Sequence, residues 1–358
     1  MKLAVLPGDG IGPEITSAAL QVIEHVTRAF SLDLTIDVHE IGLTALQRTG
    51  TTLPSPVLDA CRRADGVILG PVSTASYPPR DQGGVNASAA LRIDLDLFAN
   101  VRPSRTREGL QYWGRTPMDL VIVRENTEGF YADRNMYSGS GELMPTPDLA
   151  LSIRRISAAA SARIARAAFD LAAARRRHVT AVHKVNVLGV TEGLFLREVH
   201  TVARAHPDIT YDEQLVDSMA ALLVRDASRF DVIVTTNMFG DILSDEAAEL
   251  SGSLGLAGSI NFGDRHCMAQ AQHGSAPDIE GQNKANPTSL ILSSAMLLDW
   301  LGRRHRQENL SAAARLVDQS VDVVLSRPAT RTADLGGPQT TTSFTSELCK
   351  EIDARTVR

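Results

Sequence analysis

Asp231–Asp245 reads DVIVTTNMFGDILSD. Val232-Ile233-Val234 is a short apolar run of the kind that forms a strand buried on both faces of a parallel sheet. Thr235-Thr236-Asn237 closes it, and a helix is predicted to open near Gly240. Asp241 and Asp245 then stand four residues apart and project from one helix face. Carboxylates beyond the C-terminal edge of a parallel strand lie where open α/β sheets bind ligands. Two held so close call for a cation between them. Mg²⁺ or Mn²⁺, with octahedral oxygen coordination, suits the pair. The competing reading is structural: one aspartate at a helix N-terminus, stabilised by the dipole, and a solvated one a turn on.

The surrounding chain has the same rhythm. Leu3–Leu6, Leu34–Val38, Val67–Leu69, Leu120–Val123 and Val179–Val182 read as further short strands. A helix is predicted from Pro13, with Ile15, Ala18, Ala19, Val22, Ile23 and Val26 at a 3.6-residue period. Ala158–Ala174 reads as another, its end marked by Arg175-Arg176-Arg177 at the negative end of the dipole. Strands alternating with helices predict an α/β protein with a mainly parallel sheet. Tyr131–Leu151, rich in Gly, Ser, Met and Pro, departs from that rhythm as an irregular or β-ribbon excursion.

A chain of 358 residues suits two domains or one large α/β unit. With 43% hydrophobic and 22% charged residues it is globular, not extended and disordered. A net charge of −6 disfavours nonspecific binding to nucleic acid or to an anionic membrane. No apolar stretch is long enough to span a bilayer. The opening MKLAVLPGDG is broken by Pro7 and Gly8 before a signal-peptide core forms, so a cytoplasmic location is expected. Cys61, Cys267 and Cys349 are scattered and odd in number, with no disulfide framework or zinc spacing.

Three arginines occupy suggestive places: Arg92 and Arg102, ten residues apart within LRIDLDLFANVRP, and Arg124, directly after Leu120–Val123; all three at strand ends would be unusual. Guanidinium forks bind carboxylates in a bidentate way, and several together imply a small hydroxy-di- or tricarboxylate ligand. Lys184 is one of only four lysines and follows the strand Val179–Val182. Beside a cation it would be held toward its neutral form and could serve as a general base or acid. Tyr131, in RENTEGFYADRN, can donate a phenolic proton to an enolate carbon, although taken alone it reads more readily as a packing residue. Asp217, after an extended stretch, is a candidate third carboxylate. Gly8-Asp9-Gly10-Ile11-Gly12 lacks the G-x-G-x-x-G spacing and reads first as a tight turn. His273-Gly274-Ser275-Ala276-Pro277-Asp278-Ile279, followed by Asn286-Pro287, is a loop suited to an adenine ring. Its acidic residue Asp278 favours a free ribose 2′-hydroxyl, hence NAD over NADP.

Together LPGDGIGPE, LRIDLDLFANVRP, VRENTEGFYA, AVHKVN, FDVIVTTNMFGDILSD and HGSAPDIEGQNKANP resemble, in order and over nearly the whole chain, the blocks of the isocitrate and 3-isopropylmalate dehydrogenases. This resemblance to the β-decarboxylating dehydrogenases implies a two-domain α/β fold without the usual Rossmann unit. Residues 1–97 and 252–358 would form a large domain carrying the cofactor loops. Residues 98–251 would form a small domain with the dimer interface and an arm near 131–151. The resemblance further implies a homodimer whose site takes Lys184 and Asp217 from the partner subunit. Arg92, Arg102 and Arg124 would hold the carboxylates of a 3-substituted malate, and Asp217, Asp241 and Asp245 would bind Mg²⁺ or Mn²⁺. Lys184 would relay the hydroxyl proton as hydride leaves C2 for NAD⁺, and Tyr131 would protonate the enolate after CO₂ is lost.

The resemblance is uneven at the substrate pocket. The segment before Arg92 is VNASAALR, with Ser88 and Ala89 where isopropylmalate enzymes carry bulky apolar residues. Asn86-x-Ser88 is the reverse of the Ser-x-Asn of isocitrate enzymes. A polar or anionic C3 substituent is therefore expected, with isocitrate or homoisocitrate ahead of 3-isopropylmalate or another malate analogue. Gln270 stands where the family usually has a glutamate near the nicotinamide. A catalytically silent regulatory subunit is the alternative of a different class. The presence of every catalytic and metal residue named above weighs against it.

Overall fold

The computed structural model of the chain describes residues 1–131 and 135–356. The expected arm includes residues 132–134 and the expected large domain includes 357–358, which lie outside the described residues. The first half comprises β1 (Lys2–Leu6), α1 (Gly12–Ala29), β2 (Thr35–Val38), α2 (Gly42–Thr49), α3 (Ser55–Arg63), β3 (Gly66–Leu69), α4 (Ala87–Asp94), β4 (Ala99–Arg105) and β5 (Asp119–Glu125). There follow β6 (Glu142–Thr146), β7 (Leu149–Ser152), α5 (Ala158–Ala173), β8 (His178–His183), α6 (Thr191–Ala205), β9 (Thr210–Leu215) and α7 (Val216–Asp226). The chain ends with β10 (Val232–Thr235), α8 (Asn237–Ser251), β11 (Ile260–Phe262), β12 (Cys267–Gln270), α9 (Thr288–His305), α10 (Glu308–Ser326) and α11 (Thr341–Thr356).

Ten strands form one sheet in the order β2-β1-β3-β12-β11-β4-β5-β10-β8-β9. It is parallel except where β11 pairs with β12 and β4, and where β4 pairs with β5. The five strands from β2 to β11 come from residues 2–69 and 260–270, and the other five from residues 99–235. The two sets meet at the antiparallel junction Ile260↔Val101. β6 and β7 form a separate antiparallel ribbon, as the composition of that segment predicts.

Alternation along the strands decides which residues meet which helices. Leu3, Val5, Val121, Val123, Val179, Ala181, Val232 and Val234 point to the face covered by α1, α5, α6, α9, α10 and α11. Ala4, Leu6, Val67 and Leu69 point the other way, beneath α3 and α4. Leu120, Ile122, Val182 and Ile233 lie beneath α7 and α8. Val232, Ile233 and Val234 are fully buried, each worth roughly 1.5–3 kcal/mol in surface removed from water. Covering both faces explains why this strand reads as a continuous apolar run and not as an alternating one.

Two glycines permit close approaches near the site. A Cβ on Gly240 would lie 2.7 Å from the Cβ and Cγ of Arg124, so α8 can cross β5 only where this side chain is missing. Gly10, at φ +58°, sits so close to Ser275 that a Cβ would come within 2.1 Å of its carbonyl oxygen. That contact packs the first turn against the loop between β12 and α9. Among the described residues no helix is long and apolar enough to cross a membrane.

Candidate active site

The seam of the sheet, between α4 and α8, gathers most of the expected substrate residues. α8 begins at Asn237, three residues before the predicted start, so Asp241 and Asp245 stand on its second and third turns. The first turn carries no acidic residue. Stabilisation at a helix N-terminus therefore does not account for Asp241. Arginines account for it instead. Arg124 pairs with Asp241, and Arg102 Nη1 lies 3.3 Å from Asp241 Oδ1 and 2.9 Å from Asp245 Oδ1. Arg102 also donates to Ser244 Oγ at 2.8 Å, and Arg124 Nε to Asn237 Oδ1 at 2.8 Å.

The three arginines do not all end strands. Arg92 is inside α4, Arg102 is in the middle of β4, and Arg124 is inside β5. β5 runs two residues past Val123 because its antiparallel pairing continues through Asn100↔Arg124 and Ala99↔Glu125. Strand pairing thus presents Arg102 and Arg124 from adjacent strands toward the same helix.

Arg124 is 1% exposed and Arg102 7%. Burial, with Arg124 beside it, lowers the pKa of Arg102. Two desolvated guanidiniums in one place are costly without anions, and the site supplies two carboxylates. Burial opposes the ionisation of Asp241, but Arg124 and Arg102 outweigh it and hold its carboxyl below the usual range. Tyr131 completes the group. Its hydroxyl accepts from Arg124 Nη2 at 2.7 Å and donates to Asp241 Oδ2 at 2.6 Å. Burial raises the phenol's pKa, Arg124 opposes the rise, and the bond to Asp241 adds to it. Arg92 is close enough to influence both Tyr131 and Asp241.

Across the seam, Ser88 Oγ and Arg92 Nη2 both donate to Gln270 Oε1, each at 3.0 Å. Gln270, at the end of β12, thus touches the expected substrate residues of α4. Asn86 is the N-cap of α4, its Oδ1 accepting from Ala89 N at 3.1 Å. Its carboxamide oxygen therefore has a structural task.

Lys184 and Asp217 are elsewhere. Lys184 follows β8, Asp217 is in the first turn of α7, and the two pair with each other. The hydrogen bond from Lys184 holds the Asp217 carboxyl below its ordinary pKa. Glu192 Oε2 accepts the backbone N–H of Lys184 at 3.1 Å, and Glu192, fully buried, pairs with Arg154. One chain by itself does not bring Asp217 to Asp241 and Asp245. Among the described residues no three His, Cys, Asp or Glu side chains are grouped to hold a metal. Asp241 and Asp245 nevertheless direct two hard oxygen donors at one cationic nitrogen. That donor set fits two ligands of a divalent cation.

The loop expected to bind the cofactor runs from β12 to α9. Ser275 is anchored by Ile11 N, which donates to its carbonyl at 2.9 Å, and by Ser73 Oγ at 2.8 Å. Asp9 accepts from Leu43 N, Ser73 N and Tyr77 Oη, so the glycine turn serves as a structural hub. His273 Nδ1 bonds the Gly274 carbonyl, and its buried Nε2 has no partner. Burial lowers the pKa of this imidazole. A half-buried ring with an unmet polar atom, beside the open space at Gly274, fits a nucleotide base. Ala276, Pro277 and Asp278 are exposed, and Ile279 is half-buried. Asn286 Oδ1 instead accepts from Thr288 N at 3.0 Å, just before α9, and its Nδ2 donates to Asp334 at 2.9 Å.

Sequence reasoning missed Asn237, Ser244, Gln272 and the Arg154–Glu192 pair. Gln272 Nε2 donates to Asp245 Oδ1 at 3.0 Å. A signal was present for two of them. Asn237, Asp241, Ser244 and Asp245 follow the i, i+4, i+7, i+8 spacing of one helix stripe.

This seam brings together paired carboxylates, buried arginines and a phenol. The profile of the isocitrate/isopropylmalate dehydrogenase family matches residues 2–352, and the chain belongs to that family. An isocitrate/homoisocitrate dehydrogenase from Thermus thermophilus is 42% identical over 353 residues, covering 98% of each chain. A 3-isopropylmalate dehydrogenase from Archaeoglobus fulgidus is 39% identical over 355 residues, covering 98% of this chain and 99% of its own. The crystal structure of isocitrate dehydrogenase from Methylococcus capsulatus superposes with a TM-score of 0.85 at 39% identity, covering 98% of this chain and 99% of that one. The chain is thus an oxidoreductase by family, as its sequence blocks predict.

Proposed function

We propose that this protein catalyses the NAD⁺- and divalent-metal-dependent oxidative decarboxylation of a 3-substituted (R)-malate carrying a polar or anionic substituent, isocitrate or homoisocitrate. The carrying observation is the convergence of buried Arg102 and Arg124 with Tyr131 on the Asp241–Asp245 pair. Arg92, Arg102 and Arg124 bind and orient the carboxylates, and their charge favours a substrate with more than one. Asp241 and Asp245, with Asp217 of a second copy, would hold Mg²⁺ or Mn²⁺. A divalent cation there supplies Lewis-acid stabilisation of the enolate that forms on loss of CO₂. His273 and the 274–279 loop would hold the adenine end of NAD⁺, which accepts hydride from C2, and Asp278 would select it over NADP.

Lys184, from a second copy, takes the C2 hydroxyl proton as the carbonyl forms. Tyr131 then gives its phenolic proton to the enolate carbon. Its raised pKa suits a donor that stays protonated at neutral pH. A homodimer with shared sites is supported by exposed apolar side chains on two elements. Leu143, Met144, Leu149 and Leu151 lie on the β6–β7 ribbon, and Met238 and Ile242 on the outer face of α8. We place the enzyme in the cytoplasm. The test is stoichiometry: isocitrate with Mn²⁺ and NAD⁺ should release one CO₂ per NADH, and EDTA should stop both. NADH formed without CO₂ would remove the decarboxylation from the account.

A further inference from the structure

Glu192, in the first turn of α6, is fully buried, and both oxygens of its carboxylate are engaged. Oε1 pairs with Arg154, and Oε2 accepts the backbone N–H of Lys184 at 3.1 Å. The Lys184 carbonyl accepts from Val187 N at 3.0 Å and Leu188 N at 2.9 Å, so the peptide groups on both sides of the lysine are fixed. Glu192 N donates to the Leu188 carbonyl at 3.0 Å and closes this turn onto α6. Arg154 is held as firmly. It donates to Thr191 Oγ1 at 2.9 Å and to Thr236 Oγ1 at 3.0 Å, and its guanidinium lies 5.5 Å from the ring centroids of Phe130 and Phe239. Lys184 therefore leaves the surface of its chain from a backbone that a buried ion pair holds from within.

We infer that Glu192 is a positioning residue for Lys184, holding the lysine's backbone so that its ammonium is aimed into the active site of the second copy. The inference rests on the shared-site dimer proposed above and deepens it. Glu192 acts through the main chain and touches neither substrate nor metal. Lysine carries its charge on a flexible four-carbon stem, so the direction in which that stem leaves the backbone decides where Nζ can reach. A displacement of about 1 Å at the reacting groups can cost about 10²-fold in rate. Substrate affinity would be spared, because the arginines that hold the carboxylates belong to the other chain. Glutamine cannot take over the task. An amide has one acceptor oxygen, and its NH₂ group would meet either Arg154 or the Lys184 N–H, donor against donor.

The test places Glu192→Gln in either chain of a hybrid dimer. Lys184→Met and Tyr131→Phe chains, each with its own affinity tag, are exchanged and the hybrid is isolated. It has one intact site, built from Tyr131 of the first chain and Lys184 of the second. Thermal melting establishes that each hybrid is folded, and kcat and KM for isocitrate are read with NAD⁺ and Mn²⁺. Glu192→Gln in the Tyr131→Phe chain, which donates the working Lys184, should lower kcat at least about tenfold and leave KM within about twofold. The same substitution in the Lys184→Met chain should leave kcat within about threefold. A merely structural role would lower both hybrids alike, so an equal fall in both, or none in either, would overturn the inference. A hybrid without Glu192→Gln that recovers no activity would overturn the shared-site reading. A folded Glu192→Gln homodimer with kcat within about threefold of wild type would overturn the positioning role even then.

Discussion

Replacing Tyr131 by phenylalanine separates the phenol's structural task from its chemical one. The hydroxyl lies between Arg124 Nη2 at 2.7 Å and Asp241 Oδ2 at 2.6 Å. Those two partners also pair directly with each other. Removing the hydroxyl therefore orphans neither charge, and the stability cost should be about 1–2 kcal/mol, the range for hydrogen bonds to charged groups that keep another partner. In a chain of this length that is a fall in Tm of only a few degrees. The chemical cost is larger. Loss of a general acid typically lowers the step it serves by about 10²–10⁴-fold. Oxidation at C2 precedes that step, so rapid mixing of Tyr131→Phe with substrate, NAD⁺ and Mn²⁺ should show a burst of about one NADH per site, then slow turnover. Direct observation of NADH absorbance reads both phases. A kcat within about threefold of wild type would refute the assignment of the phenol as proton donor.

Lys184→Met should abolish turnover while leaving the melting temperature nearly unchanged. Mixing it with Tyr131→Phe under subunit exchange should restore up to about a quarter of wild-type activity if sites are shared across a two-fold dimer, and none if each chain holds a whole site. Arg154→Met leaves Glu192 buried and unpaired and should cost about 3–5 kcal/mol in denaturant unfolding. A loss under 1 kcal/mol would show that the pair is not the anchor behind Lys184. His183, His266 and His273 have pKa values lowered, in each case first by burial. Groups depressed in the folded state contribute stability that is present above their unfolded pKa of about 6.5 and is lost as pH falls through the folded values. Tm should therefore decline between about pH 6.5 and 5, and a flat profile there would contradict the burial of these rings.

The parts of the fold legible in the sequence are those where one local signal suffices. Val232–Val234 and Leu3–Leu6 are covered on both faces and so are apolar throughout. β4 is not legible as a strand, because Pro103 and four polar side chains interrupt ANVRPSR; its pairing with β5 holds it extended. β11 and β12, of three and four residues, are defined by their neighbours more than by their own composition. At the site, the residue types and the Asp241/Asp245 spacing were readable. Their partners were not. That Arg102 would reach Asp245, or that Gln270 would meet Ser88 across 182 positions, depends on how the strands are ordered in the sheet. α8 starts earlier than its local sequence predicts, because Asn237, which accepts from Arg124, reads locally as the close of the strand.

The central claim is a dehydrogenase pocket built for a malate with an oxygen-bearing C3 substituent. Initial rates with NAD⁺ and Mn²⁺ across isocitrate, homoisocitrate, 3-isopropylmalate, D-malate and tartrate test it most directly. The account predicts the highest kcat/KM for isocitrate or homoisocitrate. A preference for 3-isopropylmalate would contradict the polar reading of Asn86 and Ser88, and no turnover of any of the five would contradict the enzyme assignment itself.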